Sequence, residues 1–232
     1  MMTHRPSAER GHANHGWLNA KHSFSFASYV DRDNMGFRKL RVLNEDRIQA
    51  GKGFGEHPHD NMEIVTYVIE GSLAHKDSTG NVATLARGDV QVMTAGSGIL
   101  HSEFNASSTE ELHLLQIWIH PEQRDTAPGH GEARFDDDQK QDRLQAIASP
   151  DGRDGSLTFG ADATIYASLL KAGQQIEYRP GEDRHCWLQV VSGALEVDGL
   201  RLRAGDGAAF SEEPSIGMHA NGDSEFLLFD LS

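Results

Sequence analysis

Two stretches of this chain carry the same punctuation, and that repetition limits the fold more than any other feature. Residues 68–93, VIEGSLAHKDSTGNVATLARGDVQVM, and residues 190–210, VVSGALEVDGLRLRAGDGAAF, each run Val-x-x-Gly-x-Leu, a turn, a segment ending before Gly-Asp, and a further segment. A pattern that recurs predicts two copies of one supersecondary design. In the first half RVLNEDRI, IVTYVIEG and LHLLQIWIHP are rich in β-branched and aromatic residues, and turns such as HKDSTGN (residues 75–81) separate such runs. Residues 10–29 alternate Phe24 and Phe26 with serines, which predicts a half-buried strand there too. Residues 10–120 show no helical periodicity. Many short strands between Gly- and Asp-rich turns predict a closed or double-sheet antiparallel β structure.

The chemistry concentrates in residues 51–63, GKGFGEHPHDNME, and residues 96–104, GSGILHSEF. The first supplies His57 and His59, the second His101 and Glu103, each pair two residues apart. On a strand, residues i and i+2 share a face, with a rise of roughly 3.3 Å per residue. Two such strands facing one another would converge four ligands. Three imidazoles and a carboxylate suit a divalent transition metal better than calcium or magnesium. A lone His-x-His is more often a polar strand face. The second pair, and the glycines that crowd the approach to both, turn the reading toward a metal. His12, His15 and His22, spaced around Gly16, read instead as loop hydrogen-bonders. Pro58 removes a backbone donor and predicts an edge strand or a bulge.

Residues 121–156 are polar, charged and rich in Pro and Gly, and read as an inter-domain connection with one short helix around residues 139–148. Asp136, Asp137 and Asp138 within it read as a solvated helix start. The expected domains are residues 1–133, bearing the metal, and residues 134–232, a degenerate copy. Placing Gly193 on Gly71 and Gly205 on Gly88 puts Arg179 and Gly181 in the slots of His57 and His59, and Met218 and Ala220 in those of His101 and Glu103. The second copy is therefore expected to keep the fold without the metal.

With 35 acidic against 21 basic residues and a formal charge of −14, the chain lacks the basic surface that direct duplex binding needs. Its opening, MMTHRPSAER, has no apolar core of the secretory kind, and no run is long enough to span a bilayer. The only cysteine, Cys186, cannot form an intrachain disulfide. These features point to a cytoplasmic protein with neither membrane nor nucleic acid as partner.

The first ligand stretch nearly meets the cupin pattern: Gly51, five residues, His57-x-His59, three residues, Glu63. The second matches the end of the other cupin motif, Gly98, two residues, His101, three residues, Asn105. Together RGHANHGWL, HPHDNMEIVTYVIEG, AGSGILHSE, LQIWI and SPDGRDGSL resemble the pirin family, in particular the bacterial pirin-like quercetin 2,3-dioxygenases. The resemblance spans essentially the whole chain. It implies an all-β bicupin, two antiparallel jelly-roll β-barrels packed face to face with few short helices, and metal in the N-terminal one alone. In the family the ligands match His57, His59, His101 and Glu103. Seven residues, not the usual six, separate Glu63 from Gly71, and the proline usual before the second motif is missing. Glu103 is therefore preferred as the carboxylate ligand, with Glu63 as its outer partner or an alternative base.

The resemblance further implies cleavage of a flavonol such as quercetin by O2 with release of CO, Glu103 acting as general base. The metal expected is Fe(II), with Mn, Co, Ni or Zn as alternatives. Phe24, Phe26 and Trp118 are candidates for an aromatic pocket wall, each equally well explained as core. Two other readings stay open: a metal- or redox-responsive regulator that binds a protein partner, and a non-redox cupin isomerase.

Overall fold

The computed structural model describes all 232 residues. They form two compact units: residues 11–134 with 157–161, and residues 1–10 with 135–156 and 162–232. Each is built from two antiparallel sheets. In the first unit the larger sheet runs, in spatial order, Gly129–Arg134, Asp89–Thr94, Glu63–Glu70, Leu112–Ile119, Leu40–Ile48, Leu18–His22 and Gly11–Asn14. The smaller runs Gly53–His59, Ile99–Asn105, Ser72–Asp77 and Val82–Ala86.

In the second unit the larger sheet runs Met2–Arg5, Gly207–Ser211, His185–Ser192, Ser224–Leu231, Ala163–Leu170 and Gln145–Ser149. The smaller is Gln175–Tyr178, Ile216–Ala220, Ala194–Val197 and Leu200–Arg203. The five strands from Asp89–Thr94 to Leu18–His22 correspond in order to those from Gly207–Ser211 to Gln145–Ser149, and the two smaller sheets correspond strand for strand, so the sequence repeat is a repeat of fold, the bicupin arrangement. Each sheet keeps two open ends. The expected jelly rolls are therefore double-sheet sandwiches and not closed rings of strands.

Strand periodicity puts the core between the sheets. Along Ser72–Asp77 burial alternates so that Leu73, His75 and Asp77 point inward. Leu73, Ala83 and Leu85 of the small sheet meet Leu18, Ile48, Val68, Leu112 and Leu114 of the large one. In the second unit Leu195, Val197, Leu202, Ile216 and Met218 meet Cys186, Leu188, Phe210, Phe226 and Leu228 in the same way. The repeated glycines do the same work in both copies. Gly71 and Gly193 each adopt φ 78, and an added Cβ would come within 2.6 Å of Glu111 O and 2.3 Å of Asp223 O respectively.

Three sequence expectations are corrected. The serine–phenylalanine alternation is not a strand: residues 23–38 form turns with isolated bridges only. Ser25 Oγ exchanges hydrogen bonds with the backbone of Asp31 at 2.8 Å, and Ala27 takes φ 50. Local side-chain capping of the backbone here outcompetes a ladder. Residues 121–156 are not simply a connection, since Gly129–Arg134 is an edge strand paired with Asp89–Thr94, and Gln145–Ser149 is a fully buried strand paired with Ala163–Leu170. The helix lies earlier and is shorter than expected, Asp137–Lys140, with Asp136 and Gln139 forming a capping box. Finally, the ungapped overlay misplaces both slots of the first pair: opposite Met218 stands Ile176, not Arg179, and the slot of His59 falls to Tyr178, opposite Ile216, not to Gly181. The loops of the two copies differ in length, so register is set by pairing and not by counting.

Candidate metal centre

The ligand strands are neighbours at the edge of the small sheet of the first unit. Gly53–His59 is the outermost strand, which suits Pro58. It pairs with Ile99–Asn105 so that His101 faces His57, Leu100 faces Pro58 and Ile99 faces His59. The register then shifts, bringing Phe54 opposite Glu103. Gly55 and Glu56 together oppose Ser102, a bulge of one residue two positions before Pro58.

The three imidazoles gather. Nitrogens of His57, His59 and His101 all lie within 4.8 Å of one another. The ring centroids are 4.4 Å apart for His57 and His101, 4.8 Å for His59 and His101, and 4.9 Å for His57 and His59. His57 Nδ1 lies 2.8 Å from the Gly55 carbonyl, which only accepts, so Nδ1 holds the proton and Nε2 presents a bare lone pair. That Nε2 is 3.0 Å from His101 Nε2. Two nitrogens about 2.1 Å from one ion at a right angle stand about 3.0 Å apart, so the pair fits a shared transition metal.

Electrostatics agree with that fit. Burial, followed by repulsion from His57, lowers the pKa of His59 to about 4 against the pull of Asp60. Burial, then His57, His59 and His75, lowers that of His101 to about 3, with Asp77 opposing. Both rings are thus neutral at physiological pH, the form that ligates.

Glu103 lies on the same strand face as His101 but outside the imidazole cluster. Its carboxyl group is buried and both oxygens accept from Gln116 Nε2, at 3.0 and 2.9 Å. Gln116 Oε1 in turn accepts from the Thr66 hydroxyl at 2.9 Å, which fixes the amide with its NH2 toward Glu103. Burial pushes the Glu103 pKa up to about 7, and the Gln116 bonds offset part of that rise.

Glu63 is placed elsewhere. Its strand belongs to the large sheet, and the carboxylate accepts from Thr94 Oγ1 at 2.7 Å and from the Gly160 backbone. The chain changes sheets between His59 and Glu63, with Asn61 at φ 49, so the shared odd-numbered parity of the sequence does not translate into a shared face. His12 and His22, which lie on strands and not in loops, bond Asn19 and Asn44 at 2.8 Å each. Neither they nor His15 join the imidazole cluster.

Aromatic rings surround the cluster. The Trp118 ring meets His59 edge-on at 4.8 Å, Phe26 meets Trp118 at 5.4 Å, and Phe54 lies 6.3 Å from His57. Phe24 is 2% exposed and belongs to the core.

A second polar group was not anticipated. His75 Nε2 lies 3.2 Å from His101 Nδ1, and the His75 ring stacks on His130 at 5.2 Å. His75, Asp77 and His130 also bring their ligand-type atoms within 4.8 Å of one another. Desolvation opposes ionisation of Asp77, but hydrogen bonds from Asn81 and Thr79 together outweigh it and hold its pKa at about 2. Gln116 and Thr66 are legible as polar residues within largely apolar runs, LHLLQIWI and IVTYVIE. His75 was hidden by its position beside a turn.

Known proteins share this design. Residues 3–119 match the pirin family, and residues 146–231 match the quercetinase C-terminal cupin domain. The chain belongs to the pirin family. Among pirins and their relatives, it is 49% identical over 231 residues to a protein of Escherichia coli K12 named quercetin 2,3-dioxygenase, covering 100% of this chain and 99% of that one. A pirin-like protein of Caulobacter vibrioides is 42% identical over 233 residues, with 100% of each chain covered. The crystal structure of YhhW from Escherichia coli superposes with a TM-score of 0.97 at 49% identity, covering 100% of this chain and 98% of that one. The structure of the bacterial pirin YhhW in complex with nickel(II) gives 0.95 at 48% identity, covering 100% and 99%.

Proposed function

We propose that this chain is a metal-dependent dioxygenase that opens the heterocyclic ring of flavonols such as quercetin, consuming O2 and releasing CO. One observation carries the reading: three imidazoles converge at a sheet edge, with Phe54 and Trp118 against them and Phe26 behind Trp118. A flat polycyclic substrate is recognised by such aromatic edges and faces. The full-length identity to a protein named quercetin 2,3-dioxygenase supports the same substrate class.

His57, His59 and His101 hold the ion, and Glu103 completes the set. When bound, a divalent transition metal, Fe(II) in our reading, supplies the Lewis acidity and one-electron chemistry that make dioxygen reactive toward a flavonol. Glu103 takes the proton of the flavonol 3-hydroxyl. Displaced from or loosely held by the ion, the buried carboxylate can accept that proton and later release it. Gln116 holds both carboxylate oxygens and so limits the orientations from which the proton can be received. The N-terminal copy bears the metal. The C-terminal copy has Ile176, Tyr178, Met218 and Ala220 in the corresponding register, with the Tyr178 hydroxyl bonded to Asp230, and its role is structural. The acidic balance of the chain favours a small-molecule substrate over nucleic acid, in the cytoplasm.

The test uses protein purified without added metal. Metal content is measured by mass spectrometry, then O2 uptake and CO release with quercetin, before and after metal removal. Metal-dependent, stoichiometric turnover that is lost in His101→Ala supports the proposal. A full metal site with no turnover on several flavonols overturns it and favours a metal-responsive binding protein.

A further inference from the structure

His57 and His101 reach the same point by different means. The His57 tautomer is set by a backbone carbonyl, which can only accept. On the Nδ1 side of His101 stands another imidazole, His75, with Nε2 at 3.2 Å. An imidazole nitrogen donates or accepts according to its own tautomer, so this contact has two forms. In one, His101 Nδ1 holds the proton, His75 Nε2 accepts it, and His101 Nε2 is bare. In the other, His75 Nε2 donates, His101 carries its proton on Nε2, and that nitrogen is lost as a ligand.

What lies beyond His75 decides between them. His75 Nδ1 is buried without a hydrogen-bond partner, the ring lies in the fields of the Asp77 carboxylate and of His130, and the three residues bring ligand-type atoms within 4.8 Å of one another. Asp77 Oδ1 accepts three hydrogen bonds, from Thr79 N, Thr79 Oγ1 and Asn81 N, while Oδ2 accepts one, from Asn81 Nδ2. Oδ2 also faces His130, 3.9 Å from its Nδ1. A carboxylate with a lone pair to spare favours a proton on the nearby His75 Nδ1 and disfavours a second bare lone pair there. With the proton on Nδ1, neutral His75 must present a bare Nε2 to His101.

We infer that His75 is a positioning residue of the metal centre: backed by Asp77 and His130, it accepts the His101 Nδ1 proton and so keeps His101 Nε2 open to the ion. The inference rests on the metal-centre reading above and not on any substrate. It also argues against a second cation on His75, Asp77 and His130. An ion on His75 Nδ1 would leave neutral His75 protonated on Nε2, and that proton would force His101 into the tautomer that cannot ligate Nε2.

The test measures metal affinity by chelator competition, with no turnover involved. Loss of an outer hydrogen-bond partner of a metal-ligating histidine typically lowers affinity about 10–100-fold. His75→Leu is expected to do so, and His75→Gln, whose side-chain oxygen accepts but cannot titrate, to recover most of it. Unchanged affinity in His75→Leu overturns the inference, and so does a His75→Gln variant no better than the leucine. Binding of a second metal equivalent by the native protein, lost in His130→Ala, overturns it by making the cluster a site of its own. If His101→Ala also binds normally, the metal centre itself is misplaced and the inference falls with it. A measurement on the unaltered protein stands beside the variants. Ring nitrogen-15 shifts in the zinc-loaded protein, where the ion and not a proton lies between His57 Nε2 and His101 Nε2, should show His101 protonated on Nδ1 and His75 on Nδ1. The opposite tautomers would refute the proposal even if every His75 variant failed to fold.

Discussion

Replacing Gln116 by leucine removes the N–H groups that hold both Glu103 oxygens. Burial raises the Glu103 pKa from 4.5 to about 7. That is a bias on the order of 3 kcal/mol against the carboxylate in the metal-free protein, at about 1.36 kcal/mol per unit. The sign follows from linkage. In the metal-free protein Glu103 is protonated below about pH 7, and a cation requires it ionised, so binding there releases a proton. Its contribution makes affinity rise about tenfold per pH unit up to the carboxyl pKa and level off above it. His59 and His101, lowered to about 4 and about 3, do not titrate in that window. Without the Gln116 donors the carboxyl pKa rises further and the break moves upward. Affinity at neutral pH then falls by about tenfold or more, within the range seen for lost outer partners. The Thr66 hydroxyl also loses its acceptor, so we expect a stability loss of about 1–3 kcal/mol. Chelator competition from about pH 5.5 to about 8.5 on both proteins reads the difference, and protons released by other ligands cancel between them. A break at the same pH in both proteins, or none in either, would refute the reasoning.

Three further outcomes follow from the same geometry. Glu103→Gln should stabilise the metal-free protein at about pH 8 and do little at about pH 4. The native carboxyl, with its pKa raised, contributes fully only below the ordinary value of 4.5 and loses that contribution as pH rises from there through about 7; denaturant titrations at both pH values check this. Glu63→Gln keeps an acceptor oxygen for the Gly160 backbone and can donate its NH2 to the Thr94 hydroxyl, and should leave metal affinity within about twofold, whereas a loss of tenfold or more would mean that Glu63 serves the ion directly. In Gly53→Ala the new Cβ would stand 2.2 Å from the Glu103 carbonyl oxygen, so the edge strand must shift; thermal melting should show destabilisation by about 1–3 kcal/mol, accompanied by weakened metal binding.

The amino-acid sequence by itself determined the all-β class, the repeat and the histidines that gather at the candidate metal centre. Strand periodicity is a local property, and two residues apart on a strand is enough to put His57 with His59 on one face. Paired glycines at equivalent points, Gly71 and Gly193, mark the same backbone requirement in each copy and are visible without a structure. What lay beyond reach was everything set by pairing between distant strands. The placement of Glu63 away from the imidazole cluster depended on the chain changing sheets after His59, which no parity rule contains. The serine–phenylalanine stretch had strand periodicity, yet its serine bonded the Asp31 backbone instead of leaving room for a ladder. Gln116 reached Glu103, and His75 reached His101, only because register and inter-sheet packing brought them together, 13 and 26 residues apart along the chain. Ligand identity is chemistry written residue by residue. The hydrogen bonds that choose a ligand's tautomer or hold a carboxylate are tertiary facts, because they require partners that approach only after the sheets have closed over a dry interior.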